Sequence, residues 1–134
     1  MNELARGWVK FAKADIDGAE FLLKESRFTN LVTFHSHQAV EKILKAVLAE
    51  HTLRIPKIHS LFKLLEIIRK NGLLIDIVPK IDLNELIALD EILIESRYPG
   101  DMGLLPGGIP TLGEAEAIFV IARKIFDLMI GELS

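Results

Sequence analysis

The stretch from Leu31 to Ala49, LVTFHSHQAVEKILKAVLA, limits what this chain can become more than any other. It reads as one long helix. Stepping about 100° per residue, Ala46, Ala39, Val32, Ile43, Ser36, Val47, Val40, Leu44 and Leu48 occupy an arc of roughly 200°. The other arc carries His37, Glu41, Lys45, Gln38, Lys42 and His35, with Phe34 set among them. A surface helix needs an apolar stripe of only about 100°. Twice that width predicts burial on two sides, against the chain's own core and against a second subunit. The remaining strip gathers groups that titrate or grip phosphate, so function on this helix is expected there or opposite it.

Helical patterns surround this stretch. The first runs from about Asn2, a possible cap, to Ser26. Leu4, Trp8, Phe11, Ala12, Ile16, Ala19, Leu22 and Leu23 share one face, against Arg6, Lys10, Lys13, Asp17, Glu20 and Lys24. Asp15 interrupts the apolar face. A buried carboxylate is costly unless paired, so a basic or histidine partner is expected from the second helix or the loop after it. That contact could fix helix packing or belong to a site. Arg27-Phe28-Thr29-Asn30 is a short turn, which makes the first two helices antiparallel neighbours.

The second helix fades at His51–Pro56, where proline prevents continuation. The third spans roughly His59 to Lys70, buries Leu61, Leu64, Leu65 and Ile68, and stops at Asn71-Gly72. LLIDIVP could briefly extend. Pro79 opens a fourth helical stretch, capped by Asp82 and running to about Ser96. Arg97 to Pro110, RYPGDMGLLPGGIP, holds four glycines and three prolines and is a long irregular segment. Thr111-Leu112-Gly113-Glu114 has capping-box spacing and starts a last helix that ends before Gly131. These patterns predict an all-α, antiparallel four- or five-helix bundle of up-and-down character.

Size and charge narrow the classes. At 134 residues, 50% hydrophobic and 26% charged, the chain is read as one domain, 1–134, with a real core. No apolar run is long enough to span a membrane. The start, MNELARGWVKFAK, lacks the h-region of a signal peptide, so a cytoplasmic location is expected. There is no cysteine, hence no disulfide and no thiolate chemistry. A net charge of −3 predicts no bulk attraction to nucleic acid, so any such contact needs a local patch.

An ordered set of short pieces resembles the HEPN domain, the small helical domain of prokaryotic and higher-eukaryotic nucleotide-binding proteins. The pieces are Trp8, Ala14-Asp15 and Ala19, then Phe34 to Lys42 with Lys45, then Pro56 and His59-Ser60-Leu61, and finally Arg97-Tyr98-Pro99. The resemblance covers essentially the whole chain. It implies a bundle that dimerises through its helices, often beside a small nucleotidyltransferase in a toxin–antitoxin-like pair. Other members of the family are metal-independent ribonucleases, marked by Arg and, four to six residues on, His. Here the positions four to six beyond Arg97 are Asp101, Met102 and Gly103, and no histidine follows His59. Arg54 to His59 matches the spacing formally, but earlier than the family places it, and is read as coincidental.

Three functions therefore stand side by side. As a nucleotide- or RNA-associated homodimeric partner module of a nucleotidyltransferase, the chain would use Lys42, Lys45, His35 and Gln38 with Arg97 and Tyr98 to hold phosphate and stack a base. As a metal-independent ribonuclease it would use His37 or His59 as acid or base and a cation such as Arg97. As a purely structural interaction domain, its strip would be a solvated face of pairs such as Glu41–Lys45, with His37 bonded to Asp15 or Glu41. No metal or cofactor is expected. His35 and His37 point apart on a helix, His37–Glu41 offers too few ligands, and no glycine-rich phosphate loop is present.

Overall fold

The computed structural model describes residues 1–97 and 109–133, with the side chains of residues 94–97 outside the description. Five α-helices, and no strand among the described residues, make up the chain: α1 (Glu3–Leu22), α2 (Thr29–Glu50), α3 (Leu61–Lys70), α4 (Leu83–Arg97) and α5 (Leu112–Leu133). Two single 3₁₀ turns, Ser26–Phe28 and Val78–Lys80, lie between them.

Asn2 fixes where α1 starts and where α2 ends. Its side-chain oxygen accepts from Ala5 N at 2.8 Å, which satisfies one free donor of the first turn. Its amide group donates to Ala49 O at 2.8 Å, and its backbone N–H donates to Glu50 Oε1 at 2.7 Å. The two helices are thereby antiparallel neighbours with their ends clamped. At the other end, the buried Thr29 hydroxyl donates to Pro110 O at 2.7 Å, tying the start of α2 to the approach to α5.

The wide apolar arc of α2 has a different cause from the one its width suggests. Fifteen of its 22 residues are buried, and α1, α3, α4 and α5 all pack on it. It is the central helix, and its own chain covers both sides of the arc, so the arc by itself calls for no second subunit. Val40, Ile43, Leu44, Val47 and Leu48 meet Ile16 of α1, Leu61, Leu64 and Leu65 of α3, Leu86 and Leu89 of α4, and Ile125 and Met129 of α5 in one core.

Helix ends differ from the sequence expectations in instructive ways. α1 stops at Leu22, not Ser26, and α2 begins at Thr29. α2 ends before Pro56 can act. Thr52 takes the left-handed conformation (φ +56°), its N–H bonds Ala49 O at 3.0 Å, and Leu53 N bonds Leu48 O at 2.9 Å. That is the Schellman arrangement, with a threonine where glycine is usual. α3 ends with the same two bonds around Gly72 (φ +69°), at the predicted Asn71-Gly72 stop. LLIDIVP is not extended. Leu74 has φ +50°, its carbonyl accepts from Ile77 and Val78 at 2.9 Å each, and Pro79 lies in the 3₁₀ turn. Asp82 Oδ1 accepts from Asn84 N at 2.8 Å ahead of α4. The capping box of α5 forms in full, Thr111 N to Glu114 Oε1 at 2.8 Å and Glu114 N to Thr111 Oγ1 at 3.1 Å, and α5 continues through Gly131.

The face expected on α1 divides in two. Ala5, Ala12, Ile16 and Ala19 enter the core, but Leu4 and Phe11 are 60% and 64% exposed. No helix among the described residues is long and apolar enough to cross a membrane.

Candidate functional site

The polar strip of α2 forms a ladder of charge pairs against α1 and the α3 region. Asp15 of α1 accepts from Lys42 Nζ at 2.6 Å and from His35 Nδ1 at 2.8 Å, so one carboxylate bridges two turns of α2. One turn further, Lys45 Nζ donates to Glu41 Oε2 at 3.0 Å, and His59 Nδ1 donates to Glu41 Oε1 at 3.1 Å. The Glu41 and Lys45 side chains are only 5% and 7% exposed, whereas His59 is 70% exposed. Lys42 and Lys45 also lie against aromatic faces, Phe11 at 5.8 Å and Trp8 at 5.6 Å from the ring centroids. At Glu41 and Lys45 the strip is a desolvated pair rather than a solvated face, while His59 stays open to solvent.

His37 belongs elsewhere. It is fully buried and donates through Nε2 to Asp90 Oδ1 at 3.0 Å, not to Asp15 or Glu41. Nδ1 has no hydrogen-bond partner, which fits the Nε2–H tautomer. Asp90 was not a sequence candidate, yet it organises this corner. Its Oδ1 accepts from Leu61 N at 2.9 Å, and its Oδ2 from Phe62 N at 3.2 Å and Ser60 Oγ at 3.3 Å. A carboxylate from α4 thus caps α3 beside that helix's own Ser60 cap, where the helix dipole favours negative charge. Burial pushes the Asp90 carboxyl up, but hydrogen bonds from His37, Leu61 and Phe62 outweigh it and hold the group below the usual carboxylate range. A signal for Asp90 existed in the sequence. In LIALDEILI it sits about 40° round the helix from Leu86, on the side that becomes buried.

The candidate residues therefore fall into two groups. Asp15, His35, Lys42, Glu41, Lys45 and His59 line one edge, with Gln38 half-buried among them, while His37 is internal. Arg97 closes α4, but its side chain and Tyr98 lie outside the described residues, as does most of the Arg97–Pro110 segment. Electrostatically the edge sets the two lysines against the carboxylates of Asp15 and Glu41 with Asp90 behind, so it carries no excess of fixed positive charge. No group of three or more His, Asp or Glu side chains among the described residues could hold a metal ion. Beside the edge, Glu3, Leu4, Gly7, Trp8, Phe11 and Lys42 line an open, mainly apolar groove of about 410 Å³.

A bundle built on one buried central helix, with an ion-paired edge shared with its first helix, defines a small all-α domain. The chain belongs to the HEPN family, whose domain model matches residues 5–133. Among solved structures it is similar to TT1696 from Thermus thermophilus, at 25% identity and TM-score 0.78, covering 98% of each chain. It shares its fold with ST0689, described as an archaeal HEPN homologue, at 21% identity and TM-score 0.67 over the whole of both chains. No curated protein matches it.

Proposed function

We propose that this chain is a HEPN partner module, a homodimer that associates with nucleotide or RNA alongside a separate nucleotidyltransferase of a toxin–antitoxin-like pair. One observation carries the reading. The cations of the α2 edge are already matched by carboxylates, while the adjoining face of α1 leaves Leu4 and Phe11 uncovered. Such a surface suits protein association with modest polar contacts at its rim. In this reading His35, Gln38 and Lys42, with Arg97 and Tyr98, make the nucleotide or RNA contacts. Lys45 sits beneath Trp8 and supports them without touching ligand.

A second reading, a metal-independent ribonuclease, is favoured by His59. Its imidazole is exposed while Glu41 orients it through Nδ1, which leaves Nε2 free for general acid–base work.

One set of assays separates the readings. Short single-stranded RNA is titrated with the purified protein in EDTA, and both binding and cleavage are followed for the wild type, Lys42→Gln, His59→Ala and His37→Ala. The partner-module reading expects no cleavage and about tenfold weaker binding for Lys42→Gln. Cleavage abolished by His59→Ala would install the ribonuclease reading instead. Binding that ignores Lys42→Gln would overturn the assigned contact edge and leave an interaction domain.

A further inference from the structure

The exposed side of α1 carries a pattern that the core does not use. Leu4, Gly7, Phe11, Ala14, Gly18 and Phe21 follow one another at intervals of three, four, three, four and three residues. This is heptad spacing, the signature of a seam between two helices. The seam spans about 25 Å along the helix. It points away from Ala5, Ala12, Ile16 and Ala19, and its large side chains Leu4, Phe11 and Phe21 are 60%, 64% and 67% exposed.

The interval pattern is the same read in either direction. A two-fold axis crossing α1 between Ala12 and Lys13 therefore lays the seam on itself, antiparallel. Leu4 then faces the partner's Phe21, Phe11 the partner's Ala14, and Gly7 the partner's Gly18. Large groups meet small ones, and the two helices approach most closely where neither has a side chain. An in-register parallel pairing would instead set Phe11 on the partner's Phe11.

Charge follows the same axis. Glu3, Lys10, Asp17 and Lys24 run along one border of the seam. The axis brings Glu3 beside the partner's Lys24 and Lys10 beside the partner's Asp17, opposite signs in both cases. Asp17 pairs with Lys13 at 3.7 Å, and both side chains are more than half exposed, so it can exchange partners. A foreign partner would give no reason for a seam and a border that are complementary to themselves.

We propose that α1 pairs with α1 of a second copy in this antiparallel register. The partner's Gly18 and Phe21 then fill the groove lined by Leu4, Gly7, Trp8 and Phe11. The proposal rests on the homodimer reading above and adds the face, direction and register.

The glycines make the test clean. A Cβ built on Gly7 or Gly18 meets nothing within 4 Å, so a side chain can leave the helix there without a clash at its first carbon, and helix propensity improves. The chain has no cysteine to interfere. Sedimentation equilibrium is run on the wild type and on Gly7→Leu/Gly18→Leu. Oxidative cross-linking is run on Gly7→Cys, Gly18→Cys and the double cysteine variant. Within one helix the two positions lie about 16 Å apart, too far for an internal disulfide. The expected result is a wild-type dimer, a dissociation constant raised at least about tenfold in the leucine variant with circular dichroism unchanged, and a covalent dimer from the double cysteine variant or from the two single variants mixed. A covalent dimer from Gly7→Cys alone would overturn the antiparallel register. A dimer indifferent to the leucines and refractory to cross-linking would overturn the α1 seam while leaving a homodimer through another face. A wild-type monomer at high concentration would overturn both.

Discussion

At the scale of single residues, the molecule's strongest dependence is on three carboxylates that each serve several donors. Asp90 accepts from two backbone N–H groups, Ser60 and His37. Asp90→Ala should therefore destabilise the fold by about 2–4 kcal/mol, the cost of a lost cap plus a broken buried pair, measured by urea denaturation. The pH dependence has a definite sign. The Asp90 pKa is lower in the folded state than its ordinary 3.8, so its stabilisation is present above that value and fades as pH falls through the folded pKa. The stability gap between wild type and Asp90→Asn should be widest at neutral pH and should close below about pH 4. A gap independent of pH would mean that the Asp90 charge contributes nothing. Glu41 is a comparable case. Glu41→Gln strands the nearly buried Lys45 ammonium and should cost about 3 kcal/mol, more than half of it recovered in Glu41→Gln/Lys45→Met. The sequence exposed these residues unequally. Asp15 stood out because it interrupts a long apolar face, and the same pattern pointed to α2 for its partners. For Asp90, spacing from Leu86 marks only the side of α4 that becomes buried; its capping role comes from α3 packing across α4, a tertiary contact.

Among the elements, the start signals were more legible than the stop signals. Asn2, Asp82 and Thr111 each accept a backbone N–H of the helix they precede, as expected from their residue types, and Ser60 does the same for α3, whose start was expected near His59. The end of α2 falls at the start of the expected His51–Pro56 fade, but its cause was hidden: Pro56, the visible breaker, lies beyond the true stop, and a threonine occupies the left-handed position that glycine advertises at the end of α3. This yields a sharp expectation. Thr52→Gly removes the cost of a β-branched residue at φ +56° and should raise stability by about 0.5–1 kcal/mol, read as a higher denaturation midpoint at unchanged slope. The equivalent Gly72→Ala should lower it by a similar amount. The division of α1 into a buried and an uncovered side was also hidden. Periodicity records that Leu4 and Phe11 are apolar and share a face, but not which stretch of a broad face the rest of the chain covers.

For the whole molecule, the all-α class and the order of the helices could be read from periodicity and turn residues, whereas the centrality of α2 could not. An arc of apolar residues gives the same signal whether a neighbouring helix or another subunit lies over it. Centrality has a consequence for how the chain reaches its folded state. The largest helix–helix interface joins α1 to α2, which are consecutive and separated by a short turn. Little loop-closure entropy opposes their meeting, so this hairpin is the natural folding nucleus, and α5 must close over it from far along the chain. Amide exchange should accordingly be slowest through Ile43–Leu48, where four helices shield the backbone, and pulse labelling should protect α1 and α2 before α5.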